Sequence, residues 1–208
     1  MIGGLDVSYV KGDPVTACVG IVVCLFPSMK PIHVHTEIVQ MTEPYISGYL
    51  GFKEANTIAE QIQHIKHERP NAYPDAFLID GNGVLHPRRF GLACHVGVLT
   101  DHPTIGVAKS LHFVDGVHKN IKARCSTLLI KPGDVVPLST DSEEIIGMAL
   151  KPVAGVKNPI YISVGHRFDL ETAVWLVKTC CHYRIPEPIR LADIYSRQHL
   201  QRMGFSKS

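Results

Sequence analysis

The sequence predicts one α/β domain built around a mixed sheet, and three observations carry that reading. Three strand-length apolar segments separated by turn residues fill the stretch from Gly4 to Val39. The apolar period then switches from two to about 3.6 residues beyond Phe52. A strand–helix–strand alternation follows from Ala76 to Ala108, and two helical stretches close the chain. A meander followed by such a unit and terminal helices is the pattern of a single sheet covered by helices.

Taken in order, Gly4 to Val10 alternates large apolar with small or polar residues and runs into the turn Lys11-Gly12-Asp13-Pro14. Thr16 to Leu25 is almost wholly apolar, Phe26-Pro27-Ser28 breaks it, and Ile32 to Val39 alternates again, which predicts a three-stranded antiparallel meander. Phe52, Ala55, Ile58, Ala59, Ile62 and Ile65 recur at helical spacing until Pro70. Ala76 to Asp80 and Thr104 to Ala108 read as short strands joined through a helix from Gly91 to Leu99, a parallel pair with a crossover. Ile145 to Leu150 and Ile160 to Val164 read as two further strands, paired antiparallel. Asp169 is placed to cap a helix from Leu170 to about Cys181, and Pro186-Glu-Pro188 opens a last helix from about Ile189 to Met203.

Composition narrows the class without naming a function. At 208 residues with 45% hydrophobic and 19% charged content, disorder and coiled coil are excluded. A chain of this size buries roughly 70% of its unfolded surface, enough for a core without metal or disulfide staples. No apolar run approaches the ~20 residues of a membrane span, and no signal peptide is evident after Met1, so an intracellular protein is expected. Six cysteines (Cys18, Cys24, Cys94, Cys125, Cys180, Cys181) without C-x-x-C spacing point to reduced thiols rather than bridges or a zinc cluster. A formal charge of +2 neither predicts nor forbids nucleic acid as a partner.

Asp80 is the strongest single candidate for chemistry, because it ends an apolar strand and is followed by Gly81 and Gly83, where backbone can approach a ligand. The competing reading is a plain hairpin turn at Asp80-Gly81 or Asn82-Gly83. Asp6 shares a strand face with Gly4 and Ser8, and is either an edge-strand residue facing solvent or a ligand. Should the first and fourth strands be neighbours, Asp6 and Asp80 converge, and an all-oxygen pair of that kind suits Mg²⁺. Glu54 lies at the margin of its helix's apolar stripe and Asp193 on that of its own, where a carboxylate needs a partner or a metal; for Asp193 the ordinary partner is Arg190 or Arg197. Lys109, at the end of a strand, is a surface lysine or a phosphate contact. His86 is one of 12 histidines and a candidate acid, base or phosphate donor.

Three further features are weighed against ordinary roles. His33-Val-His35 places two imidazoles on one face with no third zinc ligand in view, so surface histidines are expected. Gly165-His166-Arg167 precedes a capped helix and is either loop chemistry or an anion site. Pro44-Tyr45-Ile-Ser-Gly48-Tyr49 is a stiff loop whose Tyr45 is a core-edge aromatic or a base-separating wedge.

These segments together resemble a known family. Gly4-Leu-Asp6, Pro44-Tyr45 through Gly48 and Leu50 to Glu54, Asp80-Gly81-Asn82-Gly83 through His86, Gly91-Leu92 through His95, Pro103 to Lys109, Tyr161 to Arg167, and Tyr183 to Arg197 match the endonuclease V family collinearly over nearly the whole chain. The resemblance implies a ribonuclease H-like fold and Mg²⁺-dependent cleavage (with Mn²⁺ as a substitute) at the second phosphodiester bond 3′ to inosine, leaving 3′-hydroxyl and 5′-phosphate ends. By resemblance Asp6, Asp80 and Glu54 are metal ligands and Asp193 completes the acidic site, with Lys109 and His86 at the phosphate. Tyr45 is the wedge, and Gly48, Leu50, Gly81, Gly83, Gly91, Leu92 and His166 bind substrate, chiefly in a hypoxanthine pocket.

The chain departs from relatives in starting almost at Asp6, where a helical segment is usual, so residues 1–208 are expected to be a single, short catalytic domain. Ser47 and Ala55-Asn56 also differ from frequent proline-containing alternatives. The wedge loop and the Arg184–Pro188 segment look more like animal than bacterial members, which associates the chain with inosine in single-stranded RNA rather than deoxyinosine in DNA. A DNA repair nuclease and a non-catalytic inosine-binding module are the competing functions. A monomer in the cytoplasm, with nucleus or nucleolus as further sites, is expected. The charge of +2 then averages an acidic centre against Arg88, Arg89, Lys109, Lys119, Lys122, Arg124 and Arg167, read as lying around it.

Overall fold

A computed structural model describes residues 1–42, 50–111, 117 and 121–205, with the side chains of residues 50 and 52 left aside. Its elements run β1 (Ile2–Tyr9), β2 (Thr16–Leu25), β3 (Lys30–Gln40), α1 (Leu50–Glu68), β4 (Ala76–Asp80), α2 (Leu92–Thr100), β5 (Thr104–Ala108), α3 (Ile121–Leu128), β6 (Val135–Ser139), β7 (Ile145–Leu150), β8 (Ile160–His166), α4 (Leu170–Thr179) and α5 (Glu187–Arg202). The strands form one sheet in the order β3-β2-β1-β4-β5-β8-β7-β6. Among the described residues only β1–β4 and β4–β5 pair parallel; the meander β1-β2-β3 and the flank β5-β8-β7-β6 are antiparallel. The expected α/β mixed sheet is therefore met, including the meander, the crossover through α2 and the β7–β8 pair. Among the described residues no helix is long and apolar enough to cross a membrane.

Strand alternation divides the core into two sides. Ile2, Val22, Leu78, Ile105 and Val107 point to α4 and α5 and pack on Ala173, Val177, Ile189 and Ala192. Leu5, Ile21, Phe77 and Ile79 point the other way, to Ile58, Ile62 and Ile65 of α1 and Val96 of α2. Under the flank, Leu138, Ile146 and Tyr161 close on Ile121 and Cys125 of α3. Asp169 accepts the Thr172 backbone N–H at 2.8 Å, the cap expected for α4.

Two elements escape the sequence reading. β6 contains Pro137, which counts against a strand, yet β6 is the edge strand, where proline's missing N–H leaves no ladder bond unmade. α3 buries only Ile121 and Cys125, too few apolar positions to register as a periodic stripe. All six cysteines are free.

Candidate active site

Three neighbouring parallel strands end at one edge of the sheet, and each brings a charged residue to it. Leu5 pairs with Ile79 and Asp80 with Val107, so Asp6, Asp80 and Lys109 lie side by side at successive strand ends. Their parity matches Leu78 and Val107, which turns all three toward α5. Asp6 is thus a central-strand residue, 5% exposed, and the edge-strand reading is wrong. Asp80 continues into no hairpin, since β4 lies between β1 and β5.

Glycines let α5 sit on this face. A Cβ at Gly4 would lie 2.0 Å from the Pro188 carbonyl carbon, and one at Gly20, the cross-strand partner of Asp6, 2.5 Å from the Ala192 oxygen. The close approach brings Asp193 over the strand ends. Buried Ser196 donates to the Asp193 carbonyl at 3.0 Å and accepts from Ser8 at 2.8 Å, and Ser8 Oγ lies 3.4 Å from Asp6 Oδ2. Arg197 Nε donates to Asp193 Oδ1 at 2.7 Å, so the arginine partner foreseen for Asp193 is present and does not remove it from the site.

The electrostatics are unbalanced. Lys109 Nζ lies 2.5 Å from Asp80 Oδ2 and 3.7 Å from Asp6 Oδ1. Burial, a hydrogen bond shared with Asp80 and the Asp80 charge hold the Asp6 carboxyl well above its ordinary range, against the pull of Lys109. Burial would lower the Lys109 ammonium, but Asp80, Asp6 and Asp193 together push it up. Glu54 reaches the same edge from α1 on the other face of the sheet. It accepts the Tyr9 hydroxyl at 2.8 Å, and Lys53 lies 5.3 Å over the Tyr9 ring. Burial raises Glu54 to about 7, with Asp80 adding to the rise and Tyr9 and Lys53 opposing it.

This donor set fits a hard divalent cation. A buried carboxyl crowded by a second one is relieved when a cation lies between them, and all the donors are oxygen. Among the described residues no three Asp, Glu, His or Cys side chains close around a point, so the fit is to an ion held by Asp6 and Asp80 with other oxygens completing its shell, as suits Mg²⁺. Glu54, expected as a third ligand, accepts the Tyr9 hydroxyl on Oε1.

A wall of backbone lies next to Asp80. Gly91 N–H donates to the Gly83 carbonyl and Ala93 N–H to the Asn82 carbonyl, both at 3.0 Å, while Gly83 N–H donates to Ser163 Oγ at 2.9 Å. A Cβ at Gly83 would fall 2.0 Å from the Val164 oxygen and one at Gly91 2.3 Å from the Asn82 oxygen. Gly81, Gly83, Gly91 and Leu92 therefore converge as expected, with Leu92 at 3.5 Å from the Cβ position of Gly81.

A family profile described as Endonuclease V matches residues 1–194. The chain belongs to the endonuclease V family. It is 48% identical to human endonuclease V over 202 residues, 97% of this chain and 72% of the relative. Mouse endonuclease V is 46% identical, and the chain spans 60% of its length. The crystal structure of the catalytic domain of human endonuclease V superposes with a TM-score of 0.94 at 46% identity, covering 97% of this chain and 82% of that one. Endonuclease V of Ciona intestinalis, in complex with a 23mer DNA containing an inosine followed by a ribo-adenosine, gives 0.88 at 40% identity over 97% of this chain and 86% of that chain. Family membership makes the chain a nuclease, a hydrolase of phosphodiester bonds.

Other expected endonuclease V site residues are placed less simply. His86 sits in the loop after β4, where its Nδ1 accepts the Arg88 backbone N–H at 3.3 Å; that bond ties it to its own loop. His166 does not belong to this edge. β8 runs antiparallel to β5, so His166 pairs with Thr104 at the start of β5, the far end from Lys109. There His166 and Arg167 face Asp101, at 3.4 and 2.6 Å, so Arg167 does not surround the acidic centre either. His35 bonds Gln61 at 2.8 Å, an ordinary surface contact. Tyr45 and Gly48 lie outside the described residues, as do Lys119 and the side chain of Leu50. Sequence reasoning missed Tyr9, Ser196 and Arg184. The first two act through contacts with α1 and β1 that are remote in sequence, and only the placement of Ser8 on the Asp6 face hinted at the Ser8–Ser196 pair.

Proposed function

We propose that the chain hydrolyses single-stranded RNA at the second phosphodiester bond 3′ to inosine, leaving 3′-hydroxyl and 5′-phosphate ends, with Mg²⁺ or Mn²⁺ as cofactor. The observation that carries the reading is the Asp6–Asp80–Lys109 row beside the Gly81–Gly83 and Gly91–Leu92 wall. Asp6 and Asp80 would hold the ion. When bound, it supplies an activated water and charge stabilisation at the phosphorus and the leaving oxygen.

The chain's own residues do the rest. The Lys109 ammonium, held charged by three carboxylates, offers a donor to a non-bridging phosphate oxygen. Glu54, poised near 7, holds or releases a proton at the edge in the neutral range. His86, with Nδ1 accepting from Arg88, carries its proton on Nε2 in the neutral form and donates from there. The glycines of the wall let backbone come into contact with the face of a planar base.

A second reading, deoxyinosine cleavage in DNA, is favoured by the inosine-containing DNA held by the Ciona relative. Matched inosine oligonucleotides differing only at the 2′-hydroxyls decide between them, with EDTA as the metal control. Faster cutting of the ribo strand is expected, and preference for the deoxy strand overturns the RNA assignment. Binding of inosine RNA without cutting in either metal would leave a binding module.

A further inference from the structure

We propose that a basic cavity beside α3 is a second contact for the nucleic acid, holding backbone phosphates of the same strand that is cut at the Asp6–Asp80 edge. This rests on the nuclease reading above. The cavity has a volume of about 560 Å³ and lies between α3, the end of β7, the loop that follows it and the start of β8. Lys122, Lys151 and Lys157 line it, with Ser126 and Asn158 as neutral polar neighbours and no carboxylate among the described lining residues.

Three ammonium groups around one concavity repel one another and concentrate an anion there. Among the described residues none of the three forms an ion pair. Asp134, the acid that senses Lys151, has its carboxylate committed to the backbone N–H groups of Lys131 and Ile130. Asp134 keeps its negative charge and offsets part of that of Lys151, so the uncompensated positive charge that a phosphodiester backbone would neutralise is carried by Lys122 and Lys157.

Continuity with the candidate active site selects a polynucleotide over a free anion. Tyr161 in the cavity wall pairs across the sheet with Ala108, the residue before Lys109. Adjacent strands lie about 4.8 Å apart, so the cavity begins one strand away from the Lys109 end of β5; Tyr161 faces α3 and Lys109 faces α5, so the path between them passes over the carboxyl edge of the sheet. Arg184 joins the two places, since its guanidinium donates to the carbonyls of Asn158 and Pro159 on the rim and to that of Lys109. A strand with one phosphate at Lys109 runs on into the cavity within a few nucleotides.

Lys122 and Lys157 are exposed, so their replacement spares the core. The test compares wild type with the double variant Lys122→Glu/Lys157→Glu for binding, by fluorescence anisotropy across a salt series, to a long inosine-containing single-stranded RNA and to one trimmed to a few nucleotides around the inosine. On the long RNA a loss of about tenfold is expected, with the slope of log Kd against log salt falling by about 1.4, two phosphates at about 0.7 each. Binding to the trimmed RNA and its cleavage in Mg²⁺ stay at wild-type levels. The neutral pair Lys122→Gln/Lys157→Gln falls between and guards against a folding artefact of charge reversal. Unchanged affinity for the long RNA, or an equal loss on the trimmed one, overturns the proposal. So does saturable binding of inosine monophosphate that the variant loses while long-RNA affinity holds. Failure of wild type to cut either RNA in Mg²⁺ sinks the nuclease reading instead, whatever the variant does.

Discussion

The two ends of the same parallel strands carry the same residue types and put them to opposite uses. At the amino end, Asp101 meets His166 and Arg167, and Asp75 meets the amino terminus of Met1; Asp101 and Arg167 are 69% and 55% exposed, and each acid has its cation. At the carboxyl end Asp6 is 5% exposed, shares its lysine with Asp80 and stands near Asp193, while Glu54 feels the charge of Asp80. Solvent screens the first set, so those charges contribute little. Burial leaves the second set unsatisfied until a cation arrives. What separates a surface ion pair from a candidate catalytic centre here is burial and the ratio of carboxylates to ammonium groups.

The sharpest way to break the contrast is Asp6→Asn. Because the raised Asp6 carboxyl makes its ionised form costly in the folded state, the isosteric amide is expected to raise Tm in metal-free buffer at pH 7 while cutting cleavage on the order of 10³-fold. Thermal melts and end-labelled cleavage assays check both; a variant that is less stable and still active would refute the account. Next in size is Gly4→Ala, whose new methyl would drive α5 off the sheet. A loss of about 3 kcal/mol in urea unfolding is expected, with activity falling as Asp193 moves, and a neutral outcome would show that α5 is not held by this contact.

Glu54 supplies a pH test. Its ordinary value of 4.5 is raised to about 7 in the folded state, so its protonated form stabilises the fold below 4.5 and that stability is lost as pH rises through about 7. The loss is on the order of 3 kcal/mol, and Glu54→Gln should remove it from the pH profile of unfolding without metal. A profile identical to wild type would mean that Glu54 is not the titrating group. Smallest is Asp101→Asn at the opposite end, with under about 1 kcal/mol lost and cleavage unchanged. A large loss of activity there would erase the distinction between the two ends.

How much of this was legible in the sequence follows the same division. Asp80 could be read because a strand of apolar residues ends on it, and parity placed Asp6 with Ser8 and Gly4. Whether β1 lay at an edge or in the centre was not readable, since strand order is decided by packing of remote segments such as α5 on Gly4 and Gly20. His166 was misplaced for the same reason. Its segment reads correctly as the junction of a strand and a capped helix, but strand direction leaves no trace in an apolar pattern, and β8 runs against β5. The glycine wall was recovered through family resemblance; composition alone allowed a hairpin turn. β6 and α3 stayed hidden because Pro137 and a sparse apolar stripe speak against regular structure at the local level.

The central claim is that the carboxylate pair at the carboxyl end of β1 and β4 is where the phosphodiester bond is cut. Cleavage of end-labelled inosine-containing single-stranded RNA by wild type and Asp80→Asn, side by side in Mg²⁺ and in EDTA, tests it most directly. The account predicts one wild-type product, ending at the second phosphodiester 3′ to inosine and absent in EDTA, with the variant slower on the order of 10³-fold at an unchanged fold. Cutting by Asp80→Asn at the wild-type rate would contradict it.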